Sequence, residues 1–353
     1  MKLGIMMALL GDRQVHVPVE YVQNAERLGY DSVWTGEAYG ADAMTPLAYI
    51  AGFTSRIRLG TSIIQLAART PANAAMQAAT IDGMSNGRFI CGIGVSGPQI
   101  VEGWYGQPWG DPTERIRDYV TIMKKIIQRE APVTHHGSEI ELPYTGPGSS
   151  GLAKPLRSIL HMRPDLPIWL GSWTPKNLRL AGEIADGVNA GFLPSELAAA
   201  RAQIQKGFDK AGNGKSFKDF EIQSLVSVII TNDVKSALNS LKPHRALYIG
   251  GMGARSKNFH NERMVQRGYP DEAKRIQELF LAGRKDEAAA AIPDEFIDEE
   301  TLVGPPDRIR ERFKAWMDAG EKGLDGLTIG TQQPEALELM AKLADVRPMA
   351  AKA

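Results

Sequence analysis

The chain has a single cysteine among 353 residues, Cys91, so no disulfide can form within it and no cysteine set can hold a metal. No stretch approaches the roughly 20 apolar residues that a membrane-spanning helix requires. The opening MKLGIMMALLGDRQ has too short an apolar run for a signal peptide and no small-residue cleavage site, so the sequence reads as cytoplasmic. An excess of one charge is also missing. Lys plus Arg (41) balance Asp plus Glu (41), which leaves no global basic field for a nucleic-acid backbone or an anionic bilayer. Nucleic acid and membrane are therefore set aside as partners. The six histidines show no zinc-like spacing, and no P-loop, nucleophile elbow or kinase motif occurs, so no metal is expected. What the chain does have is 43% apolar and 23% charged residues, the balance of a folded protein with a substantial core.

Short β-rich runs alternate with helical ones, which is the rhythm of βα units around a parallel sheet. The runs at 3–10, 32–36, 58–65, 88–94, 167–171, 186–191, 220–231 and 325–330 read as eight strands. Prolines 18, 46, 71, 112, 175, 194 and 334 stand where helices begin, as proline does in a first turn. Eight βα units with no linker between halves predict a single α/β domain over 1–353, a (β/α)8 TIM barrel. The length beyond the roughly 250 residues typical of that fold falls in two insertions. One, at about 131–166, is rich in Gly, Pro and Ser; the other, at about 244–305, is mostly helical. Lying after strands four and seven, both are expected at the carboxyl end of the barrel, where substrates bind. The aromatic residues Trp104, Tyr105 and Trp109, ahead of the first insertion, and Tyr144 and Phe259, within the two, either wall a pocket or pack the loops.

Three strand ends carry chemistry. Gly92–Gly97 fits G-x-G-x-x-G, but three βα units precede it and Pro98 follows, so it reads as a glycine-rich active-site loop in which Gly94, Val95, Ser96 and Gly97 line a flat ligand. Strand five runs into Gly171, Ser172, Trp173, Thr174, Pro175 and Lys176. Lysine is unfavourable at the positive end of a helix, so its presence there suggests an anion such as phosphate sharing the end, against a merely solvated lysine. Strand two ends in Glu37, with Tyr39 and Asp42 beside it. Glu37 is the preferred acid/base or substrate-positioning residue, against a structural salt bridge or a helix cap. His16, in the loop after strand one, and Tyr39 are further catalytic candidates.

Together the segments 25–65, 77–106 and 166–187 resemble the luciferase-like flavin and deazaflavin superfamily, in its coenzyme F420-dependent oxidoreductase branch, to which methylenetetrahydromethanopterin reductase belongs. The resemblance implies a TIM barrel whose third strand ends in a bulge with a non-prolyl cis peptide behind the central ring of the cofactor, at Ser62 and Ile63. It also implies cofactor phosphate near Ser172, Thr174 and Lys176, and a ring lying along Gly94–Gly97. Two departures stand out. Gly97, Pro98 and Gln99 occupy the loop where some members place a catalytic carboxylate, and Glu37 stands where many carry histidine. The implied activity is hydride transfer between C5 of the deazaflavin and a small organic substrate. The alternatives are an FMN-dependent monooxygenase using reduced flavin and dioxygen on the same scaffold, and a non-catalytic barrel that serves as a binding protein. The superfamily also implies a homodimer.

Overall fold

The computed structural model describes residues 1–7, 9, 14–252 and 258–348. Eight parallel strands close on themselves: β1 (Lys2–Met6), β2 (Ser32–Thr35), β3 (Arg58–Thr61), β4 (Phe89–Gly94), β5 (Ile168–Leu170), β6 (Gly187–Ala190), β7 (Glu221–Ile230) and β8 (Gly326–Gly330). Each pairs with the next, and β8 returns to β1 with Gly326 beside Lys2 and Ile329 beside Ile5. This is the expected (β/α)8 barrel. Positions 8 and 10 of the first expected strand lie outside the described residues.

Alternation along the strands sorts the side chains. Leu3, Val33, Leu59, Ile93, Val188, Ile222 and Leu327 pack outwards against the helices in one large apolar cluster. Trp34, Ile90 and Trp169 form a separate small cluster, the two indole rings 5.2 Å apart. Helices start where the sequence places an oxygen-bearing cap before proline. Thr70, Asp111 and Thr174 each accept from first-turn amides of Pro71–Met84, Pro112–Gln128 and Pro175–Ile184. At the amino end, Arg58 pairs with Asp31 and Glu221, tying β3 to β7.

One expectation is corrected and two are refined. The run 58–65 is not one strand: it breaks after Thr61, and Ile64–Gln65 resumes pairing against the end of β4. Helix Pro112–Gln128 carries the chain back to the amino end before the segment 131–166 begins, but the tip of that segment returns to the start of the helix, where Glu139 accepts from Asp111 N and pairs with Arg115. A short hairpin, His135–His136 with Glu141–Leu142, then folds along that helix, where Asp118 accepts from the Glu139 and Ile140 amides and pairs with His135. Arg163 anchors the segment's end to Asp82 and to the Phe89 carbonyl where β4 begins. Tyr144 is exposed there and donates to Pro147 of its own turn. Finally, 244–305 is mostly helical as read, and it also contains a strand that the sequence reading did not have. Strand Thr301–Gly304 pairs with Ser227–Ile230, the part of the ten-residue β7 that extends beyond most of its pairing with β6 and β8 and presents an open edge.

Between β7 and that strand lie helices Val234–Ala246, Phe259–Gln266, Pro270–Leu281, Lys285–Ala290 and Asp294–Glu299. They enclose an apolar cluster of their own, including Leu238, Met264, Ile276, Phe296 and Ile297.

Candidate active site

The carboxyl end of the barrel is organised around the break in the third strand. The peptide between Ser62 and Ile63 is cis. The Ser62 amide donates to the Thr35 carbonyl (2.5 Å), and the Glu37 amide donates to the Ile63 carbonyl (3.2 Å). The Ile63 side chain crosses the strand ends opposite. A Cβ at Gly94 would stand 2.9 Å from its Cγ1, and one at Gly171 2.4 Å from its Cγ2. These two glycines, read from the sequence as ligand-facing, thus first make room for Ile63, which becomes an apolar platform spanning β4 and β5.

Glu37 supports this platform from behind. Its carboxylate is 8% exposed and fully used: Oε1 accepts from Gln65 N (2.7 Å) and Arg69 Nη1 (2.8 Å), and Oε2 from Ala43 N (3.1 Å) and Arg69 Nη2 (2.9 Å). Burial opposes the Arg69 charge, but pairing with Glu37 outweighs it and holds the guanidinium above its usual pKa. The structural salt bridge weighed against a catalytic role is what the fold builds, because a carboxylate with four donors on it has no lone pair to offer a substrate.

The loop after β4 is tightly set. Ser96 adopts a left-handed φ of 62°, and a Cβ at Gly97 would stand 3.0 Å from the Met252 carbonyl, so the insertion after β7 reaches over this loop. After β5, Ser172 is buried and Thr174 caps Asn177 N (3.4 Å). The Lys176 side chain is 60% exposed, with Nζ 3.8 Å from Asp111 Oδ2. The backbone amide of Glu114, with that of Thr113 and the Lys176 charge, holds the Asp111 carboxyl below the usual range. Tyr39 is half exposed, 6.3 Å ring to ring from Trp104, and His16 is exposed; neither approaches Glu37 through a hydrogen bond. Tyr105 turns inward and donates to the Ala38 carbonyl.

Two groups escaped the sequence reading. Trp173 packs against His260 (5.1 Å), His260 against Tyr248 (4.8 Å), and Tyr248 against His244 (4.8 Å), an aromatic chain running from the β5 loop into the insertion. Arg263 joins it, donating to the Gly191 carbonyl and to Glu196 while facing Trp173. Burial, reinforced by Arg245, Arg263 and His244, lowers the His260 pKa to about 4. No local pattern in 244–305 signals this histidine. The second group is Asn189 on β6. It is 5% exposed, and its Nδ2 has no partner among the described residues. A polar residue alternating with outward Val188 was a readable sign. Among the described residues, no group of three or more His, Cys, Asp or Glu side chains could hold a metal ion, and no helix is long and apolar enough to cross a membrane.

A closed parallel barrel with an apolar platform at its mouth, a partnerless amide beside it and a capped helix start after β5 defines an α/β barrel whose candidate site lies at the carboxyl ends of its strands. The chain belongs to the luciferase-like monooxygenase family, whose model matches residues 8–323. It is 46% identical to Rv3520c of Mycobacterium tuberculosis, which carries a provisional assignment as a coenzyme F420-dependent oxidoreductase, over 91% of this chain and 93% of that protein. It is 28% identical to the 5,10-methylenetetrahydromethanopterin reductase of Archaeoglobus fulgidus over 97% of this chain and 98% of that one. In fold it matches the coenzyme F420-dependent tetrahydromethanopterin reductase of Methanopyrus kandleri, with a TM-score of 0.75, 23% identity and coverage of 98% of this chain and 99% of that one.

Proposed function

We propose that the chain is a coenzyme F420-dependent oxidoreductase that passes a hydride between C5 of the deazaflavin and a small organic substrate at the carboxyl-terminal mouth of the barrel. The observation that carries this reading is the Ile63 platform across Gly94 and Gly171, an apolar surface of the shape a tricyclic ring stacks on. The similarity to Rv3520c along nearly the whole chain supports the choice of coenzyme. When bound, the deazaflavin supplies a carbon centre that accepts or releases a hydride. The chain's own residues bind and orient. Ser62, Ile63, Val95, Ser96 and Gly97 back the ring, while Ser172, Trp173, Thr174 and Lys176 receive the phosphate at the start of helix Pro175–Ile184, where free amides and the helix dipole favour an anion. Glu37 holds the bulge through Gln65 and Arg69 and leaves substrate contact to Tyr39, His16 and the neutral imidazole of His260.

Titration of the purified protein with oxidised and reduced F420 and FMN tests the proposal. Selective deazaflavin binding supports it; preference for reduced FMN points to oxygen-using chemistry, and binding of neither removes the coenzyme site. Lys176→Ala weakens F420 binding about tenfold with an unchanged melting temperature, and equal affinity takes Lys176 out of the phosphate site.

A further inference from the structure

On β7, Val226 and Val228 pack outwards, so Gln223 and Leu225 face the barrel interior. Leu225 is nevertheless 37% exposed, so the barrel is open at that level. Gln223 stands in register with Asn189 on β6, and Asn189 in turn adjoins Gly171, whose absent side chain is replaced by Ile63. Three neighbouring strands therefore present a glycine against the platform, then one carboxamide, then another. Both carboxamides are buried, and Asn189 Nδ2 and Gln223 Nε2 have no partner among the described residues. Folded proteins pair nearly all such groups. Gln223 is 0% exposed, accepts from Thr328 and lies two residues from Glu221 of the amino-end brace, deeper in the barrel; Asn189, next to Gly171, is the exception at the platform, and it points to a ligand that supplies the partner.

We infer that Asn189 positions the coenzyme ring by pairing with its imide edge. This rests on the deazaflavin reading. The pyrimidinedione edge runs C=O, N–H, C=O, and a carboxamide carries one donor and one acceptor side by side, so the two meet at two points. Serine, lysine or a carboxylate at position 189 provides no such match. The ring is thereby fixed in rotation on Ile63, which decides where C5 faces the substrate.

The test compares wild type, Asn189→Ala and the equal-sized Asn189→Asp. Each is titrated with oxidised F420, with its 5-deazaflavin core, and with that core methylated at the imide nitrogen. Binding is read by fluorescence quenching, ring environment by the absorption band of the bound chromophore, and packing by the melting temperature of the free protein. Both variants should bind F420 and the core about five- to tenfold more weakly, with the band moved back towards its position in water. The methyl group should weaken binding to wild type by a similar factor and leave Asn189→Ala unaffected. The melting temperature of Asn189→Ala should hold or rise, because an unpaired buried amide is lost. Equal affinities with an unmoved band, while wild type binds F420, overturn the inference and leave the coenzyme reading standing. A lowered melting temperature with unchanged affinity marks Asn189 as a packing residue and also overturns it. Failure of wild type to bind any deazaflavin removes both.

Discussion

Glu37 illustrates how a carboxylate at a barrel strand's end changes meaning once its neighbours are known. With Arg69 held against it at 10% side-chain exposure, the pair is a buried brace, and removing one partner strands the other charge. Glu37→Gln should lower stability by about 3 kcal/mol and weaken coenzyme binding through the displaced bulge. Thermal denaturation of the free protein checks this; a catalytic role would reduce turnover alone. His260 carries a pH signature. Its folded pKa of about 4 lies below the ordinary 6.5, so the unfolded chain binds more protons between these values. Its contribution to stability is complete above pH 6.5 and is lost as the pH falls towards 4. Arg245, Arg263 and His244 surround it with positive or protonatable groups that steepen the loss. The slope of melting temperature against pH over this window should flatten in His260→Phe, and an unchanged slope assigns the titration elsewhere.

At the scale of elements, the third strand and the glycines facing it form one unit. Gly171→Ala should cost about 1–3 kcal/mol by driving its methyl into Ile63, and Ile63→Ala in the same chain should recover part of that cost. The non-additivity of a double-mutant cycle measures the contact, and simple additivity would separate the two sites. The same scale separates what the sequence could tell from what it could not. Strand and helix positions were legible because alternation, caps and prolines are local. The glycines at 94 and 171 were legible as special, but their reason was not, since Ile63 reaches them across three strands. For Glu37 the sequence left a catalytic carboxylate and a structural salt bridge both open, because Arg69 lies 32 positions away and nothing in the spacing announces the pair. The path of 131–166 was not legible, because helix Pro112–Gln128 decides where the chain arrives and contacts as distant as Glu139 with Asp111 and Arg115 bring its tip back to the helix start.

For the whole molecule, the barrel divides labour between its ends. Arg58, with Asp31, Glu221 and Lys2 nearby, closes the amino end far from the mouth. Arg58→Ala should lower the melting temperature by several degrees, on the order of 2–4 °C per kcal/mol lost in a large domain, while F420 affinity stays at the wild-type value. A fall in affinity would show that the two ends are coupled.

The helices after β7 fill their own core and meet the mouth mainly through Met252, Tyr248, His260 and Arg263. Strand Thr301–Gly304 pairs with the end of β7 and Asp298 pairs with Arg308 and Arg312, so the wall is packed internally and joined to the barrel along one side. Its core is separate from the barrel's, so substitutions inside it reshape the wall without disturbing the barrel's packing. The platform at Ile63 and the wall above it are thereby free to vary separately.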